Sequence, residues 1–207
     1  MPIEETTGTP TRQAEKARLQ RERILKAAET CFVKHGFHAA AMAQIAETAA
    51  MSPGLIYRYF ENKHAIVLAI IEQQLEEVSA DIRDLYHAPD LAQAIFEDYL
   101  GWRDASPAVM SAPLFFEITA ESTRDPRIAE ALRISDQRLR DQVIEWLAAP
   151  VTAGGKGLPA PLAESHALAL ACFIEGLITR ALRSPDLPPE QVKATIDDFL
   201  ARLFERP

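Results

Sequence analysis

A chain of 207 residues, 48% apolar and with a formal net charge of −8, is long enough for one or two domains, each able to bury a core. No apolar run approaches the roughly 20 residues that span a bilayer, and the N-terminus lacks a basic-then-apolar export signal. A cytoplasmic chain without a membrane partner is the expectation. Cys31 and Cys172 belong to no CxxC pair and the five histidines show no ligand spacing, so buried reduced thiols are expected, with no metal and no cofactor.

The charge is unevenly spread. Residues 10–65 hold nine Lys/Arg and five Glu, whereas residues 66–207 hold thirteen Lys/Arg and twenty-three Asp/Glu. Attraction to phosphate decays over about 8 to 10 Å at ordinary salt, so a basic head on an acidic body remains compatible with nucleic acid.

In chain order, residues 1–12 carry Thr, Pro, Gly and Glu without apolar periodicity and read as a flexible tail. A first helix is predicted over Gln13–His35, with Leu19, Ile24, Ala28, Cys31 and Phe32 as its inner stripe and Gly36 ending it. Arg12, Lys16, Arg18, Arg21 and Arg23 crowd its front. They fit an ordinary solvated helix start and contacts to phosphate or a minor groove equally well.

A short second helix, Met42–Thr48, would bury Ile45 and Ala46, with Ala49 closing the packing. After a turn at Ala50-Met51, Ser52 is a good N-cap and Pro53 suits the first position of a third helix. On that helix Ile56 and Phe60 are one turn apart and face inward, with Tyr59 beside them. Gly54 and Arg58 fall on the other side, flanked by Leu55 and Tyr57. Such an outer face suits a major groove: Gly allows close approach, Arg forks onto guanine or phosphate, and Tyr donates to a phosphate oxygen. The candidate contacts to double-stranded operator DNA are Gln44, Ser52, Pro53, Gly54, Leu55, Tyr57, Arg58, Tyr59 and Lys63. On spacing alone a plain helical hairpin in an all-α core stays open.

The pattern GF…M..IA..A..S.G.IY.YF..K, carried by Gly36, Phe37, Met42, Ile45, Ala46, Ala49, Ser52, Gly54, Ile56, Tyr57, Tyr59, Phe60 and Lys63, resembles the DNA-binding domain of the TetR family of bacterial repressors over about Arg18–Ala69. There are two departures. Ala40 and Ala41 stand where the family usually caps the second helix with Thr or Ser, a loss of about 1 kcal/mol. Ala50 stands where the family usually has Gly in the turn, at a further cost of roughly 1 kcal/mol if that position is left-handed.

Asn62 caps a long fourth helix whose apolar positions Ile66, Val67, Ile70, Ile71, Leu75, Val78, Ile82 and Leu85 recur until His87-Ala88-Pro89. At 1.5 Å per residue it is about 36 Å long, enough to belong to both modules and to act as the transmitter between them. Asp90 caps the next helix, which carries Phe96, Tyr99 and Trp102. Another holds Met110, Phe115 and Phe116 and runs to about Ser122, and Asp125-Pro126 opens one that ends after Trp146. Those seven aromatic and Met residues either line a cavity for an unidentified small-molecule ligand or form packed core. Residues 150–161, PVTAGGKGLPAP, read as a mobile loop.

The last two helices are rich in apolar residues, among them Leu170, Ile174, Leu177, Ile178, Val192, Ile196, Phe199 and Leu203. Packed against a symmetry mate they form a four-helix homodimer interface, which the resemblance also implies; otherwise they complete the monomer core. The fold expected is all-α: a three-helix helix-turn-helix domain (13–65) joined by the long helix to an α-helical ligand-binding and dimerisation domain (66–207). The resemblance implies a dimeric repressor of a palindromic operator, released by a small molecule. A ligand-independent dimeric DNA-binding protein is the alternative. An enzyme comes third, because Glu117, Glu121, Glu164 and Glu175 accompany no phosphate loop, nucleophile elbow or His-carboxylate spacing.

Overall fold

Gly36 divides the first helical stretch. In the computed structural model, which describes residues 12–85, 90–106 and 111–205, α1 runs Arg12–Ala39 but is interrupted at Gly36 (φ 75°, ψ 158°). That left-handed φ is open to glycine and breaks the helical ladder, so Phe37 swings back to within 5.3 Å of the Phe32 ring. The other helices are α2 (Met42–Thr48), α3 (Pro53–Ile56), α4 (Lys63–Leu85), α5 (Leu91–Arg103), α6 (Ala112–Ser122), α7 (Pro126–Ala148), α8 (Ala160–Arg183) and α9 (Pro189–Phe204). Residues 1–11, Met110 and the side chains of Val78, Ile82 and Leu85 lie outside the described residues. The chain separates into two compact units, Met1–Ala69 and Ile70–Pro207, the division falling inside α4.

In the first unit α1 buries Ile24, Leu25, Ala27, Ala28, Cys31 and Phe32. Leu19, expected on that stripe, is 50% exposed: the inner face begins one and a half turns later. Against α1 lies α2, with Ile45 and Ala46 buried and the Cys31 thiol 3.3 Å from the Thr48 hydroxyl. Ala41, the α2 N-cap, has no side-chain acceptor to offer. Part of the missing cap is supplied from within the helix, because the Ala41 N–H donates to Gln44 Oε1 at 2.7 Å.

The turn that follows is left-handed at Ala50 (φ 49°), and the Met51 N–H returns to the Ala46 carbonyl at 2.9 Å. Ser52 then caps α3, its hydroxyl accepting from the Leu55 N–H at 3.3 Å. Only Pro53–Ile56 is α-helical. The Arg58 and Tyr59 N–H groups reach back three residues, to Leu55 and Ile56, and tighten the turn. Asn62 caps α4 through its Oδ1, which accepts from Ala65 at 2.9 Å.

In the second unit α5, α6 and α7 all start on side-chain caps: Asp90, Ser111 and Asp125. α8 packs on α5, α6 and α7, and α5 also packs on α9. The core joins Ile95 and Tyr99 of α5, Trp146 and Leu147 of α7, Leu170 and Leu177 of α8, and Ile196 and Leu200 of α9. α8 is by length and composition apolar enough to cross a membrane, with 28% of its apolar window buried. The expectation of no such stretch counted uninterrupted apolar residues, and α8 reaches the threshold despite scattered charges such as Glu175.

Residues 150–159 are fastened, contrary to the expected mobile loop. Val151–Ala153 forms a 3-10 turn, Gly157 and Leu158 donate to the Ala149 and Leu147 carbonyls at 2.8 and 3.0 Å, and the Trp146 indole donates to Gly154 O at 3.2 Å. The glycine-rich composition serves close packing here. A methyl group on Gly155 would sit 2.1 Å from Ala149 O. Lys156 places its ammonium 5.4 Å from the Trp146 ring and 5.1 Å from Phe204, and the His166 ring bridges the Leu162 and Leu203 carbonyls.

The Ala50 turn gives the first prediction. Ala50→Gly removes a left-handed penalty of about 1 kcal/mol and should raise the stability of the head by that amount. Denaturant unfolding measures it. A neutral or destabilising result would show that the turn is not strained.

Candidate nucleic-acid interface

The outward surface of α3 and its flanks is built from residues whose neighbours are pinned. Ile56 is fully buried and Phe60 is 3% exposed, which fixes the rotation of the segment about its axis. That rotation leaves Gln44, Ser52, Pro53, Gly54, Tyr57 and Arg58 exposed and Leu55 and Tyr59 half-buried. Tyr57 is 55% exposed, a large aromatic ring held in solvent. The Arg58 guanidinium makes no hydrogen bond or ion pair among the described residues. Gly54 has an ordinary φ, and a methyl there would meet nothing within 4 Å. Neither its backbone nor its packing explains a glycine, whereas a surface approaching from outside would.

The cations of α1 behave differently from a free phosphate-binding row. Arg18 is held by Glu15 and Glu22, and its hydrogen bond holds the Glu15 carboxyl below the usual carboxylate range. Arg21 lies 4.4 Å over the Phe60 ring, and Arg23 donates to the Ala50 carbonyl at 3.5 Å. Lys63, expected on phosphate, turns inward. Its ammonium donates to Phe37 O at 2.7 Å and His38 O at 3.1 Å and sits 4.8 Å from the Phe37 ring. Those carbonyls lie just beyond the Gly36 break, where the helical ladder no longer supplies them with donors. Lys63 is therefore a clasp within the head.

In the body, Tyr99 and Trp146 are 0% and 3% exposed, with Phe96 and Trp102 packed on the same cluster. Phe115 and Phe116 form an edge-to-face pair on α6, their centroids 5.3 Å apart. The Trp146 indole is satisfied by Gly154, but the buried Tyr99 hydroxyl has no partner among the described residues, and neither has Gln142 Oε1. Among the described residues no cluster of three or more His, Cys, Asp or Glu is placed to hold a metal.

The residues expected at a homodimer interface mostly serve the unit's own interior. Leu170, Leu177, Ile178, Val192 and Ile196 are all buried, and Ile174, Phe199 and Leu203 are half-buried. Phe199 stacks on Phe173 with centroids 3.9 Å apart. The apolar outer face of α8 is another stripe: Leu168 (58% exposed), Ala171, Cys172, Gly176 and Leu182 (45% exposed). Cys172 was expected to be buried and is exposed. Its signal was legible, because Leu168, Cys172, Glu175 and Leu182 recur at helical spacing, but the bulkier inner stripe took precedence. Burial pushes the Asp136 carboxyl above its ordinary value, and burial followed by the charge of Asp136 does the same to Glu175.

A one-turn helix behind a left-handed turn, carried by α1 and α2, defines a helix-turn-helix protein. Residues 24–70 match the bacterial regulatory proteins of the tetR family, and residues 88–205 match the BetI-type transcriptional repressor C-terminal domain. The chain belongs to the TetR family of bacterial transcriptional regulators. It is 34% identical over 113 residues to the transcriptional regulator UidR of Escherichia coli K12, covering 55% of this chain and 57% of UidR; the chain thus matches little more than half the length of that relative. It is 27% identical over 176 residues to BetI of Klebsiella pneumoniae, covering 80% of this chain and 84% of BetI. Among solved structures, Salmonella enterica GusR superposes with a TM-score of 0.68 at 26% identity, covering 90% of this chain and 95% of GusR. A Saccharomonospora viridis regulator in complex with choline shares the fold, with a TM-score of 0.67 at 19% identity over 88% of this chain and 96% of its own.

Two outcomes follow for the head. Gly54→Ala should leave stability unchanged or slightly raised, since Ala is the better helix former, yet weaken binding to a selected DNA duplex. Arg58→Ala should cost about 1–3 kcal/mol on that duplex and relax preference at one position. Unchanged binding by both variants would remove this face from the interface. For Lys63→Ala, the clasp role predicts a less stable head with an unaltered dependence of log affinity on log salt. A slope smaller by about one per half-site would return Lys63 to the phosphates.

Proposed function

We propose that this protein is a homodimeric repressor that acts in the cytoplasm on a near-palindromic operator and is released from it by a small molecule. The observation that carries the reading is the outer face of α3, where Gly54 leaves room that nothing among the described residues fills and Arg58 and Tyr57 are exposed beside it. A four-residue helix offers few contacts. Pairing two such readers raises the local concentration of the second once the first has bound, and so multiplies weak half-site affinities.

The partner face assigned to the second copy is the outer stripe of α8. Its leucines are exposed, and Gly176 sits mid-helix at a cost of about 1 kcal/mol relative to Ala with nothing within 4 Å of a Cβ there. Release by a ligand is supported by the fully buried Tyr99 hydroxyl, which has no hydrogen-bond partner among the described residues, since an unmet buried donor costs about 1–3 kcal/mol and a ligand acceptor would satisfy it. α4 passes through the division of the chain and is the element that would carry the signal. Ligand-free repression remains the second reading, favoured by the satisfied Trp146 indole and the close packing around it.

The test has two parts. A duplex selected from a randomised pool should contain two related half-sites about one helical turn, or a multiple of it, apart, and the protein should bind it as a dimer. Leu168→Asp, on the outer face, should shift sedimentation towards monomer while the far-ultraviolet helix signal persists, because a carboxylate buried unpaired at a two-fold contact is not tolerated. A dimer that survives this substitution puts the interface elsewhere. Failure to select any duplex overturns the regulator reading itself.

A further inference from the structure

We propose that Arg21 and Arg23 are positioning residues that fix the two ends of the reading helix, so that operator discrimination depends on side chains that touch no DNA. The inference rests on the proposed DNA-reading function. Its starting point is the poverty of α3 in internal support. Four α-helical residues are far below the length at which a helix holds itself in water, so the orientation of α3 is set by what grips it. Inward, Ile56 and Phe60 provide that grip. At the surface, the two arginines provide it at opposite ends.

At the front end, Ala50 adopts the left-handed conformation that a methyl side chain disfavours, and Arg23 donates to its carbonyl oxygen from α1, 27 residues away in sequence. An alternative rotation of the Ala50 peptide would turn that carbonyl away and lose the bond. Arg23 thereby favours the strained turn over its unstrained competitors. At the rear, Phe60 closes the tightened turn after Ile56, and the Arg21 guanidinium covers its ring at 4.4 Å. Arg21 and Arg23 stand two residues apart on α1, about 200° around its axis, and their contacts bracket the segment Met51–Tyr59. Two cations that composition alone would assign to phosphates are thus aimed at the carbonyl and the ring that delimit the reader.

The position-50 turn makes the idea testable. Arg23→Ala and Arg21→Ala would be made in the full-length protein, in the wild-type background and with Ala50→Gly. Each would be titrated with the selected duplex and with a scrambled duplex of the same composition, over a range of salt. Positioning predicts that Arg23→Ala lowers the ratio of selected to scrambled affinity about threefold, near the low end of a hydrogen bond's net worth because this one is long and exposed, with an unchanged salt slope. With Ala50→Gly the left-handed turn needs no support, so the same Arg23→Ala change should lower the ratio less than about twofold, a measurable coupling between the two sites. Arg21→Ala should lower the ratio regardless of residue 50, and Arg21→Lys, which keeps a cation over the ring, should restore most of it.

Three results overturn the proposal. A salt slope reduced by about one per half-site, with both duplexes weakened alike, makes either arginine a phosphate contact. An unchanged ratio makes it a bystander. Equal losses with and without Ala50→Gly remove the turn from the mechanism of Arg23. If no duplex is selected, the regulator reading fails first, and thermal unfolding of the four combinations at positions 23 and 50 decides this inference separately: coupled stabilities retain the contact, and additive ones end it.

Discussion

The head depends on one constraint: a single turn of helix must present side chains at a fixed angle without the cooperative length that normally stabilises a helix. Everything around α3 answers that constraint. Ser52 caps its first turn, Pro53 pre-sets the backbone, and the N–H groups of Arg58 and Tyr59 close tight turns behind it. The left-handed Ala50 turn sets the angle between α2 and α3, while Ile56 and Phe60 set the rotation about the axis. A neighbouring clasp, Lys63 on the carbonyls of Phe37 and His38, holds the end of α1 on the start of α4. Cations in this head are spent largely on its own geometry, and Arg58 keeps its guanidinium outside.

Two glycines share a physical signature despite lying in different units. Gly54 and Gly176 have ordinary backbone angles, and a Cβ added to either would meet no atom within 4 Å. They contrast with Gly36, whose φ of 75° breaks a helix, and with Gly155, where a methyl would collide with Ala149 O. A glycine that pays helix entropy without an internal reason is an argument for something outside the chain. Under the proposed function that outside partner is DNA at Gly54 and a second copy of the chain at Gly176.

Much of this was legible in the amino-acid order because it is local. N-caps at Ser52, Asn62, Asp90 and Asp125 depend on residues within one turn, and so does the division of Ile56 and Phe60 from Gly54 and Arg58. What the order of residues did not show are contacts distant in sequence. Lys63 reaches back 26 residues and Arg23 reaches forward 27, and no periodicity encodes either pairing. On α8, periodicity picked out the stripe of Leu170, Ile174, Leu177 and Ile178 and passed over the outer one that carries Leu168 and Leu182. Size suggested Leu170 and Leu177 for the interface, and size is what the core used. In residues 150–159 glycine and proline signalled freedom, whereas close backbone approach and the Trp146 indole tie the segment down.

On the proposed reading, the reader's shortness ties assembly to regulation. With few contacts per half-site, affinity would come from holding two readers at one spacing, and a small change in that spacing would forfeit the advantage of the second reader. A ligand needs only a modest preference for the altered spacing to act, since coupling of about 1–3 kcal/mol already weakens DNA binding roughly 5- to 150-fold. In the proposed ligand site the Tyr99 hydroxyl, without a hydrogen-bond partner among the described residues, would supply a preference of that size, because satisfying a single buried donor is worth about 1–3 kcal/mol. A reader stabilised by its own length, with many contacts of its own, would demand far more of its ligand. On the proposed function, the economy of α3 is what would let a weak signal release the DNA.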